Sequence, residues 1–393
     1  MNLSWITENR RALAFLWGGL VALSMMRVWS SLFFTPIYLM TVLALFDRET
    51  RDGLWQLAGR LPLTLGYFAL AACSLLWAAS PHLVLQALRA DILIPCLAFV
   101  ASFHAARRLD AQRTAEALLL GAWCCFLLGG AIGYLVLGSG WSERLFDSVG
   151  YYSSYVFMLA GASLPFLTRN RRLLFYPLVA VLLFLSQQRV AWVVFPFIGL
   201  ADILLCRRQG ASLKGLFVFG LLIVVASIGM LKWVAEQKPV DGLNPGVQAS
   251  SLLDRLAKNE RLRPWREWFE RGLESPIIGH GFGRDNVKEH FARGADWPER
   301  NLNHGHNILI NNFLQLGALG VAAYLMAQFQ LGRFLFRQRE PLAYAALCIL
   351  GLFFLRNLFD DFSFKRLLIV YALLLGWSIG GLGKRSTSPN TTD

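Results

Sequence analysis

Residues 304–320 read HGHNILINNFLQLGALG and join a long polar segment to a nearly uncharged apolar run that ends near Gln328. This change in polarity predicts that a transmembrane helix begins here. Asn307 is expected to cap that helix, because its side-chain oxygen can accept from a free N–H group of the first turn. The positive end of the helix dipole suits an anionic ligand and favours a neutral, proton-accepting His306. The simpler alternative is that His304 and His306 only mark a wet membrane boundary.

The composition indicates an integral membrane protein. Of the 393 residues, 55% are hydrophobic and 16% are charged, and a soluble domain cannot bury so much apolar surface. The net charge is +13, but the basic residues lie in short loops between apolar runs and form no basic domain or nucleic-acid-binding motif. We therefore expect membrane lipids, and no nucleic acid, as partners.

Twelve apolar runs predict an all-α polytopic membrane protein. A span needs about 20 apolar residues, and shorter runs suffice where flanking side chains snorkel. Helices one to nine are placed in residues 1–233, a helical extramembrane cap in 234–305, helices ten to twelve in 306–385, and a polar tail in 386–393. The runs are 12–28, 31–46, 62–79, 88–105, 115–137, 151–168, 173–187, 190–206, 215–233, 306–328, 341–356 and 367–383.

The distribution of basic residues predicts the orientation. Clusters of arginine and lysine occur in alternate loops, at 10–11, 48–60, 107–113, 169–172, 207–214, 333–339 and 384–385. Apart from Arg189, the opposite short loops contain only Arg27, Arg144, Arg356, Lys365 and Arg366. The positive-inside rule therefore places both termini in the cytoplasm and the cap on the outer side of the membrane.

Arg189 lies in the sequence SQQRVAW, at the break between the seventh and eighth predicted helices and on the side of the cap. An arginine flanked by apolar runs is costly unless it is paired, solvated or snorkelling. A guanidinium also matches two phosphate oxygens at once. A snorkelling interfacial arginine and a phosphate clamp therefore both remain open interpretations.

Residues 261–269 read RLRPWREWF and predict an amphipathic helix within the cap. At about 100° per residue, aromatic and charged residues fall on opposite faces, namely Trp265, Trp268, Phe269 and Gly272 against Arg263, Arg266, Glu267 and Glu270. Extending this phase places Arg261 on the aromatic face. Pro264 weakens the extension, because proline prefers the first turn of a helix and can mark its start.

Three motifs carry a resemblance to a known family. They are Arg189 with Ser186 three residues before it, Arg261-x-x-x-Trp265 followed by Pro276-x-x-Gly-x-Gly, and His306-Asn307 followed after nine residues by Gly317-x-x-Gly320. These motifs resemble those of the O-antigen ligases, in the superfamily that includes O-antigen polymerases and O-oligosaccharyltransferases. The resemblance implies a glycosyltransferase of lipopolysaccharide biosynthesis in the bacterial inner membrane. It would join O-antigen polysaccharide from undecaprenyl diphosphate to lipid A–core on the periplasmic side.

The resemblance also implies roles for individual residues. His306 is expected to act as the general base for the acceptor hydroxyl. Arg189 and Arg261 are expected to hold the diphosphate and to stabilise its charge as it leaves. Direct displacement with inversion is expected, because no carboxylate nucleophile is evident. The residues expected to support the site are His304, Asn307, Arg263 and Arg266, of which the two arginines should be solvated.

Neither a cofactor nor a metal is expected, because the donor carries its own activated bond. His304 and His306 have the spacing of metal ligands on an extended segment, but no cysteine, H-E-x-x-H or D-x-D motif completes a site. The glycines at 279, 281 and 283 are interpreted as a tight turn and not as a nucleotide loop, because no strand–helix frame surrounds them. His280 is accordingly interpreted as a turn residue.

The sequence leaves undecided the roles of four charged residues and the choice among several functions. Arg89 and Asp91 in the fourth predicted helix, with Asp360 and Asp361 between the last two, are functional candidates that ion pairing or solvation explains equally well. The alternative functions are an O-antigen polymerase or a protein O-oligosaccharyltransferase of the same superfamily. A different class, a lipid-linked glycan transporter, would need no histidine base.

Overall fold

The computed structural model describes residues 9–27, 30–138, 140–186, 188–208, 224–225, 228–229, 262–292, 305–359, 361 and 366–383. Within these ranges every regular element is helical, which confirms the predicted all-α class. Arg261 and His304 lie outside them, as does most of the predicted ninth run.

The α-helices of the described residues are numbered in chain order. They are α1 (Arg10–Ser24), α2 (Ser30–Phe46), α3 (Arg48–Arg60), α4 (Pro62–Cys73), α5 (Pro81–Ala87), α6 (Ile94–Leu109), α7 (Ala111–Leu137), α8 (Trp141–Phe146), α9 (Val149–Ser163), α10 (Arg169–Ser186), α11 (Arg189–Arg208), α12 (Leu262–Gly272), α13 (Arg284–Ala292), α14 (Ile308–Arg337), α15 (Pro341–Phe359) and α16 (Arg366–Gly380). A π-helical turn, Leu88–Leu93, joins α5 to α6.

Among the described residues, four helical stretches are long and apolar enough to cross a membrane. They are Pro81–Leu109, α7, α14 and α15, and a fifth results if α3 and α4 together form one broken span. The protein is therefore a membrane protein, while the full set of twelve spans stays a prediction.

Residues 48–60, expected from their polarity to be a loop between two apolar runs, instead form helix α3. The helix ends where Pro62 begins α4, because proline has no N–H group to continue the hydrogen-bonding pattern of α3. The chain bends by 84° between the two helices.

Close helix contacts depend on glycine. Helix α1 packs along α7, and α6 packs along α16. A β-carbon at Gly121 would lie 2.0 Å from the carbonyl oxygen of Phe15, and one at Gly376 would lie 2.4 Å from that of Phe99. Small residues at these positions let the backbones approach, which is how helices associate when lipid tails replace water.

Helix α9 lies at the centre of the main core, and nearly all of its residues are buried. Its Tyr152 stacks on Phe126, with ring centroids 5.4 Å apart, and also contacts Phe146 at 5.2 Å. Helices α10, α11 and α15 pack around α9. This core packs against α11 and α15, whose ends contribute to the candidate site.

Candidate active site

The start of α14 has the cap that the sequence predicts. Asn307 Oδ1 accepts from the backbone N–H groups of Leu309 and Ile310, at 2.8 and 3.2 Å. Its Nδ2 donates to the carbonyl of Leu358 in the last turn of α15, at 2.8 Å. The cap therefore uses two of the N–H donors that an anion could have bound, and it also ties the start of α14 to the end of α15.

His306 is half-buried and lies directly before this cap. Its φ angle is +45°, in the left-handed region that a non-glycine residue rarely adopts. Both neighbours are held by hydrogen bonds, because the Gly305 N–H group donates to Asn311 Oδ1 at 2.9 Å and Asn307 forms the cap. Left-handed non-glycine residues are found where the surrounding structure over-determines them, often at functional sites.

A buried carboxylate supports this turn. Asp361 is only 1% exposed, and its Oδ2 accepts from Nδ2 of Asn311. Arg284, the first residue of α13, forms an ion pair with Asp361 at 2.7 Å and also donates to its backbone carbonyl at 3.1 Å. Of the two open explanations for Asp361, ion pairing is therefore the one that the structure shows. No motif or periodicity in the sequence indicates a role for Arg284 or Asn311.

The Arg284–Asp361 pair gives a prediction about stability. Replacing Arg284 with alanine removes the ion-pair partner of the buried Asp361 carboxylate, which should lower the free energy of unfolding by about 3 kcal/mol. Adding Asp361→Asn should recover much of this loss, because it removes the buried charge. Denaturant unfolding of the purified variants in detergent measures both effects.

The matched control for this prediction is Arg266→Ala. The pair between Arg266 and Glu270 spans 2.8 Å, but its side chains are 82% and 56% exposed, so its loss should be nearly neutral. Equal effects of Arg284→Ala and Arg266→Ala would contradict the stabilising role of the buried pair.

The glycine turn docks on a break in α14. Gly317 has φ +62° and ψ −161°, which interrupts the helix. The carbonyls of Leu314 and Gln315 accept from the N–H groups of His280 and Gly281, at 3.1 and 2.8 Å. In an unbroken helix these carbonyls would accept from residues 318 and 319. The turn therefore supplies the donors that the break removes.

The break in α14 also frees N–H groups of the helix, and these donate to carbonyls of the segment that carries the glycine turn. The freed N–H groups of Ala318 and Leu319 donate to the carbonyls of Pro276 and Ile277, at 2.8 and 3.2 Å. A β-carbon at Gly279 would lie 2.4 Å from the carbonyl carbon of Gln315. The predicted tight turn is confirmed, since all three glycines have positive φ angles. Two motifs that are separate in the sequence thus form one unit.

The break between α10 and α11, where Arg189 lies, is hydrogen-bonded to the last turn of α15. The same turn is hydrogen-bonded to Asn307, beside His306. Helix α10 ends at Ser186 and α11 begins at Arg189, as predicted, although the side chain of Arg189 lies outside the described atoms. Gln188 Oε1 accepts from Ser153 at 2.9 Å and from Arg356 at 2.6 Å.

Arg356 is 1% exposed, so it is a buried side chain and not the loop residue that the charge count suggested. Arg356 lies two residues before Leu358, whose carbonyl oxygen accepts from Asn307. The last turn of α15 therefore holds both the Arg189 break and the His306 turn.

The predicted faces of α12 are confirmed where the structure describes them. Trp268 is buried, and the ring of Phe269 stacks on Phe313 of α14 with centroids 5.2 Å apart. Arg266 is exposed, as expected. For Arg263 only the backbone is described.

A cavity of about 380 Å³ extends from this region between α3, α4, α6, α14 and α16. Most of its lining is apolar, and its polar lining includes Asp91, Arg284, Asn312 and Asp361. Tyr67 closes one wall by donating to Asn312 Oδ1 at 2.8 Å. Asp91 lies on the π-helical turn, a feature often found at functional sites.

A comparison with protein-family models supports the family resemblance that the three motifs carry. A search of curated proteins finds no match to the chain. Residues 173–325 match the family model described as O-antigen ligase. The matched segment contains the Arg189 break, α12, the glycine turn, the His306 turn and the break at Gly317. This match supports the resemblance to the O-antigen ligase/polymerase superfamily that the three motifs carry.

Proposed function

We propose that the protein is an O-antigen ligase, which transfers O-polysaccharide from undecaprenyl diphosphate to lipid A–core in the bacterial inner membrane. The observation that carries this proposal is the convergence of the motifs. The last turn of α15 holds the Arg189 break and the His306 turn, and the glycine turn docks on the same helix, α14, that His306 precedes.

The proposed reaction is a direct displacement. A hydroxyl oxygen of the acceptor sugar attacks the anomeric carbon of the donor, while His306 accepts the hydroxyl proton. The bond from the anomeric carbon to the diphosphate oxygen breaks, and the diphosphate leaves with the electron pair. Attack opposite the leaving group inverts the anomeric configuration. The bonds around Gly305 and Asn307 support this role, because they fix the backbone on both sides of His306.

Arg189 and Arg261 are proposed to bind the diphosphate. The anion gains charge as it departs, and preorganised guanidinium donors stabilise such charge more in the transition state than in the ground state. The start of α14 adds a favourable field for an anion. His304 and Asn307 are proposed to support this site, with Arg263 and Arg266 as solvated neighbours.

The cavity supports lipid substrates. Its long apolar lining between α3, α4, α6, α14 and α16 suits a hydrocarbon chain, and its polar residues lie beside the Asp361–Asn311 support of the His306 turn. In this proposal both termini are cytoplasmic, and the reaction occurs on the periplasmic side of the membrane.

A transfer assay with purified protein tests the proposal and its alternatives. It supplies a defined undecaprenyl-diphosphate-linked donor with lipid A–core, a second lipid-linked glycan or a peptide as acceptor. Transfer to lipid A–core supports the ligase. Transfer only to the second glycan indicates a polymerase, and transfer to the peptide indicates a protein glycosyltransferase. Movement of donor across the membrane without transfer, and unchanged in His306→Ala, indicates a transporter.

The proposed diphosphate clamp predicts that turnover is sensitive to lysine substitution at Arg189 and Arg261 but not at neighbouring arginines. Arg189→Lys and Arg261→Lys should each lower turnover by about tenfold or more, because an ammonium group cannot grip two phosphate oxygens at once. Donor binding should fall less, since the diphosphate gains charge only as it leaves. Turnover and donor affinity, measured in one nanodisc preparation, separate the two effects.

Arg263→Lys and Arg266→Lys, both in α12, are the matched controls and should be close to neutral. If either control proved sensitive while Arg261→Lys was tolerated, the assignment of the second clamp to Arg261 would be wrong. Pro264 would then have shifted the helical phase.

A further inference from the structure

A second cluster of chemically active side chains lies outside the residues assigned to transfer. Glu274, His280 and His290 each present one atom able to bind a metal, and these atoms all lie within 4.8 Å of one another. Glu274 follows α12, His280 lies in the glycine turn, and His290 lies in α13. Three separate elements of the chain therefore meet at this point.

The two histidine rings have a spacing close to that of ligands on one zinc ion. Their centroids are 4.6 Å apart, with 32° between the ring planes. With a Zn–N distance of about 2.0 Å and tetrahedral angles, two imidazole ligands have centroids about 5 Å apart. Two ligand atoms on one tetrahedral zinc ion lie roughly 3.3 Å apart. Glu274 is exposed, so its side chain can rotate to bring a carboxylate oxygen to this distance from the histidine nitrogens.

His280 is held in a form that suits metal binding. It is buried, and its Nε2 lies 3.1 Å from the carbonyl oxygen of Arg271. A carbonyl can only accept, so Nε2 carries the proton, and a neutral ring then has its lone pair on Nδ1. A histidine that ligates a metal usually donates its other N–H to a carbonyl or carboxylate in this way. Phe291 packs against both rings, with centroids 4.9 and 4.8 Å away, and limits their rotation.

We propose that Glu274, His280 and His290 form a binding site for a divalent transition metal, with zinc as the best-suited ion. Two imidazoles and one carboxylate are typical zinc ligands, and water would occupy the fourth position. Arg271, whose guanidinium lies 4.8 Å from the ring centre of Phe291, is a nearby positive charge that opposes a cation. The free energy gained from the three ligands therefore has to exceed the repulsion between the metal ion and the Arg271 guanidinium.

The role of this site is structural. His280 binds the carbonyl of Leu314 through its backbone, and Leu314 lies eight residues after His306, about 12 Å along the helix. A metal here does not contact the reacting atoms. It would instead cross-link the end of α12, the glycine turn and α13, and so stabilise the part of the cap that docks on α14.

Zinc titration of the full-length protein tests the site. Protein in nanodiscs is first stripped with a chelator, and binding of Zn²⁺ alone is followed by calorimetry and metal analysis. We expect a single zinc ion per chain in the wild type, and at least about tenfold weaker binding in His290→Ala and Glu274→Gln. The matched control is His82→Ala, an exposed histidine on α5, which should bind like the wild type. Absence of zinc binding, or equal binding by wild type and His290→Ala, overturns the proposal.

Chelation separates a structural metal from a catalytic one. Zinc should raise the thermal unfolding temperature of the wild type by mass action and leave that of His290→Ala unchanged. Transfer, measured well below the unfolding temperature, should survive a strong chelator. If chelation abolishes transfer while the protein stays folded, and zinc restores it, the structural role is wrong. Because this readout uses metal binding and unfolding, it does not depend on which acceptor the enzyme uses.

Discussion

Replacing His306 with alanine is expected to lower glycan transfer by about 10²–10⁴-fold, the usual effect of removing a general base. The acceptor hydroxyl would then have to lose its proton to water while it attacks. Folding and donor binding should remain largely intact, because Asn307, Asn311 and the Gly305 backbone make hydrogen bonds that hold this turn and that the variant keeps. The measurement compares single-turnover transfer, donor binding and thermal unfolding of the variant with those of the wild type.

His304→Ala is the nearest control and should have a milder effect, since His304 is assigned only a supporting role. His82→Ala, far from these motifs in the sequence, should have none. Near-normal transfer by a well-folded His306→Ala variant would exclude His306 as the base. It would direct attention to Asp91, which lines the cavity.

Gly317→Ala is expected to disrupt the site by a different route, through the backbone. The φ and ψ angles at this position, +62° and −161°, lie in a region almost exclusive to glycine, which costs other residues on the order of 1–3 kcal/mol. In addition, a β-carbon would lie 2.3 Å from the carbonyl carbon of Ile277. The glycine turn must then separate from α14 or the break must close, and either change breaks the reciprocal hydrogen bonds. We expect transfer to be lost and the free energy of unfolding to fall by about 3 kcal/mol or more.

Gly332→Ala is a matched control in the same helix. A β-carbon there would meet only Leu350, at an ordinary contact distance of 3.7 Å, so this substitution should be neutral or slightly stabilising. Denaturant unfolding and transfer assays of both variants give the comparison. If Gly317→Ala were as stable and active as Gly332→Ala, the docking of the glycine turn would not be required for the site.

The local features of this protein follow from neighbouring residues and could be predicted from sequence. Apolar runs form helices because every backbone polar group in lipid must find a partner within its own segment. Asn307 caps α14 because its short side chain reaches the N–H groups two and three residues ahead. Trp268 and Arg266 lie on opposite sides of α12 because the helical period separates them.

Other features depend on residues that are far apart in the chain. Arg356 binds Gln188 across 168 positions, and Arg284 binds Asp361 across 77. Nothing near Arg356 in the sequence distinguishes a buried donor from an interfacial one, because the positive-inside rule counts charge without regard to burial. The residues that support His306 therefore became evident only from the packing of α15 against α11 and α14.

The sequence by itself determined the helical class, the cap of α14, the tight glycine turn and the resemblance to the O-antigen ligases, because each of these depends on residue type and short spacing. Only the tertiary structure decided that the glycine turn fills the break at Gly317, that Asp361 is paired, and that His280 faces His290. The physical reason is that a backbone donor freed by a break, or a charge buried without water, must be satisfied by whatever group the fold brings to it. That partner is chosen by packing and not by position in the chain.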